Sequence, residues 1–150
     1  MSVARERTTV DLPPDRAAEL WSDLRRWPTF IEGFARVVET RGDWPKEGSR
    51  LVWESIPSGR GRVTERVRER EDGVLVTDVF EKALAGTQTV RFGPAEGGGS
   101  VVELELDYRL TREGPLSWLT NVLFIRRALT ASLRRTLRRF ATEAAEEAGL

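Results

Sequence analysis

Val102-Glu103-Leu104-Glu105-Leu106-Asp107-Tyr108-Arg109-Leu110 sets Val102, Leu104, Leu106, Tyr108 and Leu110 on one face of an extended chain and Glu103, Glu105, Asp107 and Arg109 on the other. This alternation predicts a strand with one buried and one wet side. Beyond Pro115 the period changes. Leu129, Leu133, Leu137, Phe140 and Ala144 recur at spacings of 4, 4, 3 and 4, the stripe of a long amphipathic helix. As one helix, residues 116–148 would span about 50 Å at 1.5 Å per residue, long for a domain of this size. A break near Phe124 is therefore expected, with a short apolar helix before the long one.

Upstream of this stretch, from Val37 to Leu110, the period is 2 and turn signals recur: Asp43-Trp44-Pro45 through Gly48, Pro57-Ser58-Gly59, Glu71-Asp72-Gly73, Ala85-Gly86, and Gly93-Pro94 through Gly99. They divide the segment into six short strands of a mostly antiparallel sheet. Gly97-Gly98-Gly99 belongs to no phosphate-binding glycine pattern and reads as a hairpin loop. At the N-terminus, Thr8, Val10 and Leu12 alternate with polar residues as a further strand. Pro13-Pro14-Asp15 then opens a helix, because proline needs no amide partner in a first turn and Asp suits the positive end of the helix dipole. Ala17, Leu20, Trp21 and Leu24 give it an apolar face. Trp27-Pro28 is expected to end it, and a second short helix is expected from about Thr29 to Ala35. The order strand, two helices, six strands, long helix is α+β: one curved sheet needs a single large apolar helix to cover its inner face.

Composition narrows the chemistry. The 150 residues include 24 Lys or Arg, 24 Asp or Glu, and no His or Cys. Disulfides, Cys-ligated zinc, His-held haem, thiol nucleophiles and histidine triads are excluded. No metal site or cofactor is expected. Carboxylates, hydroxyls, the single Tyr108, two lysines and 22 arginines remain, a set that favours binding over catalysis. The length fits one domain, residues 1–150, burying roughly 70% of its unfolded surface. The longest apolar stretch, Leu116 to Ile125, is short of the ~20 residues that cross a bilayer, and residues 1–10 form no signal peptide. A cytoplasmic location is expected.

These features carry a resemblance. The segment from Ala18-Glu19-Leu20-Trp21-Ser22-Asp23-Leu24 into Arg26-Trp27-Pro28-Thr29-Phe30, then Gly48-Ser49-Arg50-Leu51, Val63-Thr64-Glu65, Gly98-Gly99-Ser100 and the Arg-rich closing helix resemble the START-related superfamily, specifically its bacterial polyketide cyclase/dehydrase and lipid-transport branch. The resemblance covers essentially the whole chain. It implies a helix-grip fold, a seven-stranded antiparallel sheet wrapped around the C-terminal helix with a hydrophobic cavity between them. Members bind lipids, sterols, quinones, plant hormones or polyketides, and some are cyclases. Ile31-Glu32-Gly33 departs from relatives that carry a proline before the glycine, which affects the expected loop shape. A fold of this kind does not fix a function.

Side-chain parity selects residues that face the expected cavity. Tyr108 shares its buried face with four aliphatics, Trp53 shares parity with Leu51, and Phe92 with Val90. They are cavity-wall candidates, with ordinary core packing as the alternative. A buried Tyr108 phenol needs a hydrogen-bond partner, which a ligand carbonyl would supply. Glu65 lies between Val63 and Val67 on the inward face of its strand. On the closing helix, 100° per residue sets Arg126 within about 60° of Leu129, Leu133, Leu137 and Phe140, provided the helix is continuous. An inward Glu65 and Arg126 would favour each other or a polar ligand head group, since unpaired charge in an apolar interior is costly. In the catalytic reading, Arg126 anchors a carboxylate or enolate while Glu65 or Tyr108 exchanges a proton. The alternative is an arginine that reaches water and a glutamate at a cavity mouth. Trp118 and Phe124 suit a lid over the mouth, a segment touching a membrane transiently, or the end of the core. Leu129 and Leu133 complete the ligand-facing set.

Residues 115–142 hold six arginines and no acid, a local +6 that the rest of the chain balances at −6. This face either attracts an anionic partner or pairs with acids elsewhere on the protein. No nucleic-acid motif accompanies it. The leading expectation is binding or transport of a small hydrophobic ligand such as a lipid, quinone or polyketide-like molecule. A cyclase or dehydratase working without metal or nucleotide is the second reading, and an interaction module using the Arg-rich helix the third.

Overall fold

The computed structural model describes the backbone of residues 2–111 and 118–150 and the side chains of residues 2–111 and 124–150. Strand β1 (Ser2–Val10) leads into α1 (Pro14–Ser22), a 3-10 turn (Leu24–Arg26) and α2 (Trp27–Phe30). Strands β2 (Phe34–Arg41), β3 (Arg50–Ser55), β4 (Arg62–Glu71), β5 (Val74–Phe80), β6 (Leu84–Pro94) and β7 (Ser100–Leu110) follow, and α3 (Trp118–Ala148) closes the chain. The seven strands form one sheet in the order β1-β7-β6-β5-β4-β3-β2, antiparallel throughout. Only the β1–β7 pairing joins strands distant in sequence, and α1 and α2 carry the chain from one sheet edge to the other. This is the helix-grip α+β architecture.

Strand β7 alternates as its sequence predicts, with Val102, Leu104, Leu106 and Tyr108 buried and the charged residues between them half-exposed. On α3, Leu133, Leu137, Phe140 and Ala144 are buried against the sheet. Trp21 of α1 meets Phe30, Phe92 and Phe140 at ring-centroid distances of 5.4, 6.4 and 5.2 Å. These rings plug the end of the interior where Phe92 pairs with Val102. Charged groups pin the C-terminal half of α3 from outside: Arg26 reaches Glu143 at 2.5 Å and Glu147 at 3.0 Å, and the Glu32 amide donates to Thr136 Oγ1 at 3.0 Å.

Four expectations are corrected. The second short helix is α2, Trp27–Phe30, and Phe34 already begins β2. Trp27-Pro28 starts that helix rather than ending the first one. Proline is tolerated in a first helical turn, and Trp27 is held in helical geometry by its indole N–H, which donates to the Trp21 carbonyl at 2.7 Å. Gly33, at φ +72°, then supplies the left-handed conformation that turns the chain into β2.

Ala85-Gly86 is not a turn but lies within β6, and the reversal falls at residues 81–83, closed by Glu81 N–H to Leu84 C=O at 3.0 Å. Gly86 is there because β7 crosses so close that a Cβ would stand 2.2 Å from the Asp107 carbonyl oxygen. Finally, α3 runs unbroken from Trp118 to Ala148. Its excess length is accommodated by exposure: the buried stripe starts at Leu133, and Phe124 is 71% exposed. Among the described residues no helix is long and apolar enough to cross a membrane.

Candidate functional site

Cross-strand register gathers the polar interior. Leu51 on β3 pairs with Glu65 on β4, Glu65 with Val79 on β5, Val79 with Gly86 on β6, and Gly86 with Tyr108 on β7. This row crosses the inner face. Glu65 and Tyr108 stand three strands apart, about 14 Å between backbones at ~4.8 Å per strand. Between them the only side chain on the row is Val79, because Gly86 has none. Both polar side chains are buried on the inner face of the sheet.

Glu65 is 4% exposed. Its Oε2 accepts the Trp53 indole N–H at 2.8 Å and its Oε1 the Thr77 hydroxyl at 3.1 Å. Burial pushes its proton affinity above the usual carboxylate range, against the opposing pull of the Trp53 bond, the Arg60 charge and the Thr77 bond, with the Glu81 carboxylate adding to the rise. Trp53 is buried among Trp27 and Phe34, with ring centroids 6.2 and 5.5 Å away. Tyr108, 2% exposed, has a hydroxyl with no hydrogen-bond partner among the described residues. A buried phenol without a partner is uncommon in a finished core.

Two loops close over Glu65. Arg60, in the β3–β4 loop, donates from Nε to Glu81 Oε2 at 2.7 Å, and Glu81, in the β5–β6 loop, has a side chain 4% exposed. The Arg60 guanidinium lies over the Trp53 ring, 5.6 Å from its centroid. The result is a buried acid and a part-buried ion pair sharing one tryptophan.

The other candidates from the sequence disperse. Phe92 is buried beside Trp21 in the aromatic plug, some six residues along the sheet from the Glu65 row and about 20 Å away. Leu133 is buried and Leu129 packs half-buried against the core. Phe124 is exposed, and Arg126 is exposed too, which corrects its inward assignment. A helical wheel gives direction, not coverage, and among the described side chains of α3 full burial begins only at Leu133. The Trp118 side chain lies outside the described residues. Of the helix arginines, Arg134 pairs with Glu6 at 2.9 Å and Arg135 with Glu32, so part of the +6 is met by acids elsewhere on the chain. Among the described residues no group of His, Cys, Asp or Glu is arranged to hold a metal ion.

Sequence reasoning missed Thr77, Arg60 and Glu81. Thr77 was accessible, since it shares parity with Leu75 and Val79. Arg60 and Glu81 sit in turns, where no periodicity assigns a direction.

The sequence profile of the family described as polyketide cyclase / dehydrase and lipid transport matches residues 1–145. No curated protein matches the chain in sequence. Among solved structures, the di-domain ARO/CYC StfQ from the steffimycin biosynthetic pathway superposes with a TM-score of 0.75 at 19% identity, over 99% of this chain and 52% of that one. A protein from Chromobacterium violaceum gives 0.71 at 14% identity over 96% and 98% of the two chains. Truncated norcoclaurine synthase from Thalictrum flavum gives 0.68 at 15% over 93% and 91%. At these identities the likeness establishes the fold.

Proposed function

Because the chain belongs to the polyketide cyclase / dehydrase and lipid transport family, we propose that it binds or carries a small hydrophobic ligand, of lipid, quinone or polyketide-like chemistry, between the concave sheet face and α3. The observation that carries this reading is the Tyr108 hydroxyl, buried without a partner among the described residues on a face otherwise lined by Leu104, Leu106 and Val79. A ligand carbonyl or hydroxyl would satisfy it, while the ligand's apolar body replaces water along the aliphatic wall. Trp53, Leu129 and Leu133 are the apolar contacts this reading retains from the sequence. Native mass spectrometry of protein purified from its own host is the test. A co-purifying apolar molecule is the expected result; protein that is ligand-free and also binds no hydrophobic probe would sink the reading.

A second reading, a cyclase or dehydratase working without metal or nucleotide, is favoured by one observation: Glu65 is a buried acid with raised proton affinity, the property a general acid or base at neutral pH requires. Glu65→Gln would then abolish turnover while the protein stays folded, and undiminished turnover would remove Glu65 from any mechanism. A polyketide synthase gene beside this one would favour the enzymatic reading.

A further inference from the structure

We propose that the free Nη2 of Arg60, in the loop between β3 and β4, anchors an acidic ligand oxygen, a phenol or enol hydroxyl bound as its anion. The inference rests on the hydrophobic-ligand reading above and specifies which polar group such a ligand carries.

The Nη2 atom is buried and has no hydrogen-bond partner among the described residues. A guanidinium has donors only, so the N–H bonds of Nη2 call for an acceptor. The fork is also aimed. Its Nε is committed to Glu81, its plane rests on the Trp53 ring, and Trp53 is itself fixed by its bond to Glu65. Two independent contacts therefore hold the guanidinium, a pre-organised arrangement in which a bound anion orders little that is not already ordered.

Geometry and charge narrow the ligand. Nη2 is the buried NH2 group, and its neighbour Nε is taken by Glu81, so the Nε–Nη2 edge that meets a carboxylate or phosphate side-on is not open. The charged and titratable groups facing Arg60 are Glu81, on the β5–β6 loop, and Glu65, on β4. Glu81 already balances the guanidinium, which disfavours a multiply charged head group. A monoanion whose charge spreads into an aromatic or enone body meets both limits. Glu65 completes the chemistry. The ligand O–H bond breaks, its proton forms a new O–H bond on a Glu65 carboxylate oxygen, and the electron pair stays on the ligand oxygen facing Arg60. The raised proton affinity of Glu65 favours that direction. The arginine role that the sequence suggested for Arg126 thus falls to Arg60, and the exposure of Arg126 is no obstacle to it.

The test uses 4-nitrophenol, whose phenolate absorbs visible light, and nitrobenzene, which lacks the hydroxyl. Wild type, Arg60→Gln and Arg60→Lys are titrated with both across pH. In wild type the bound nitrophenol's apparent pKa should fall by at least one unit, a tenfold preference for the phenolate. Arg60→Gln should abolish the shift and weaken nitrophenol binding about 10- to 100-fold while nitrobenzene affinity stays within about twofold. Arg60→Lys keeps the charge without the fork and should retain only part of the shift; it decides the matter should Arg60→Gln not fold. A shift that persists in the variants overturns the proposal. So does wild type that binds nitrobenzene yet leaves the nitrophenol pKa unmoved, in which case the hydrophobic-ligand reading stands. Wild type that binds neither probe overturns both.

Discussion

Where Phe92 pairs with Val102, the interior is an aromatic plug of Trp21, Phe30, Phe92 and Phe140; where Gly86 pairs with Tyr108, about 20 Å along the same strands, it holds a buried acid, a part-buried ion pair and, in the Tyr108 hydroxyl and Arg60 Nη2, two polar atoms without partners among the described residues. Both ends lie on the same inward face and obey the same alternation. At the plug the rings pack edge to face or tilted, and the buried polar group nearby, Ser100, is satisfied by the Leu12 carbonyl at 2.6 Å, an arrangement that serves stability. At the other end, Glu65 is buried on two hydrogen bonds and the Arg60–Glu81 pair is partly buried beside it, so each charge there costs desolvation. Polar groups retained inside at such a cost, with Tyr108 and Arg60 unsatisfied, point to a molecule that completes them. One end of the interior holds the fold, and the other is where the proposed ligand's polar head would sit.

The sharpest way to break this contrast is at the plug. Trp21 is 1% exposed and touches three other rings, so Trp21→Ala removes a large buried side chain with no obvious means of collapse. A loss of about 3–5 kcal/mol is expected, read as a lowered urea midpoint. A loss under 1 kcal/mol would mean that the plug is not what holds α1 and α3 to the sheet.

How much of this was visible in the chain itself divides along the same line. Strand β7 and the stripe Leu133, Leu137, Phe140 could be read because periodicity encodes which way a side chain points inside a regular element. Glu65 could be read for the same reason, as a charged residue on an apolar parity. Arg60 and Glu81 could not, since a turn has no period and their pairing joins loops 21 residues apart. Arg126 was misplaced because an angle on the helix gives direction alone: Ile125 and Leu129 beside it pack partly against the core while Arg126 itself is exposed, and coverage is a property of the whole fold. Gly86 looked like a turn because glycine punctuates sequence both where chains reverse and where they approach closely.

A smaller effect, opposite in sign, is expected at the polar end. With its proton affinity raised in the folded protein, Glu65 binds its proton more tightly folded than unfolded. Its protonated form therefore favours folding, and stability falls as pH rises from the unfolded carboxylate value, about 4.3, to the higher folded value. Glu65→Gln removes the ionisation and retains an acceptor for Trp53 and a donor for Thr77. Thermal unfolding should show the variant more stable than wild type at pH 7, with the gap closing toward pH 4. A gap that widens on acidification would reverse the assigned direction and return Glu65 to an ordinary structural carboxylate.

Tyr108→Phe should change stability least, and for that reason it separates the two ends most cleanly. Deleting a hydroxyl from a satisfied core breaks a hydrogen bond and costs stability, but here the hydroxyl has no partner among the described residues. Removing it loses no intramolecular bond and relieves a buried polar group, so the urea midpoint should hold or rise, by no more than about 1 kcal/mol in stability. Ligand binding should respond instead. A ketone probe such as 1-acetonaphthone should lose about 3- to 10-fold in affinity, the worth of one neutral hydrogen bond, while naphthalene, with no acceptor, should bind both proteins equally. Equal weakening of both probes would assign Tyr108 to shape, as at the plug. A stability loss with both affinities unchanged would mean that the hydroxyl serves the fold and that the polar end needs no ligand to complete it.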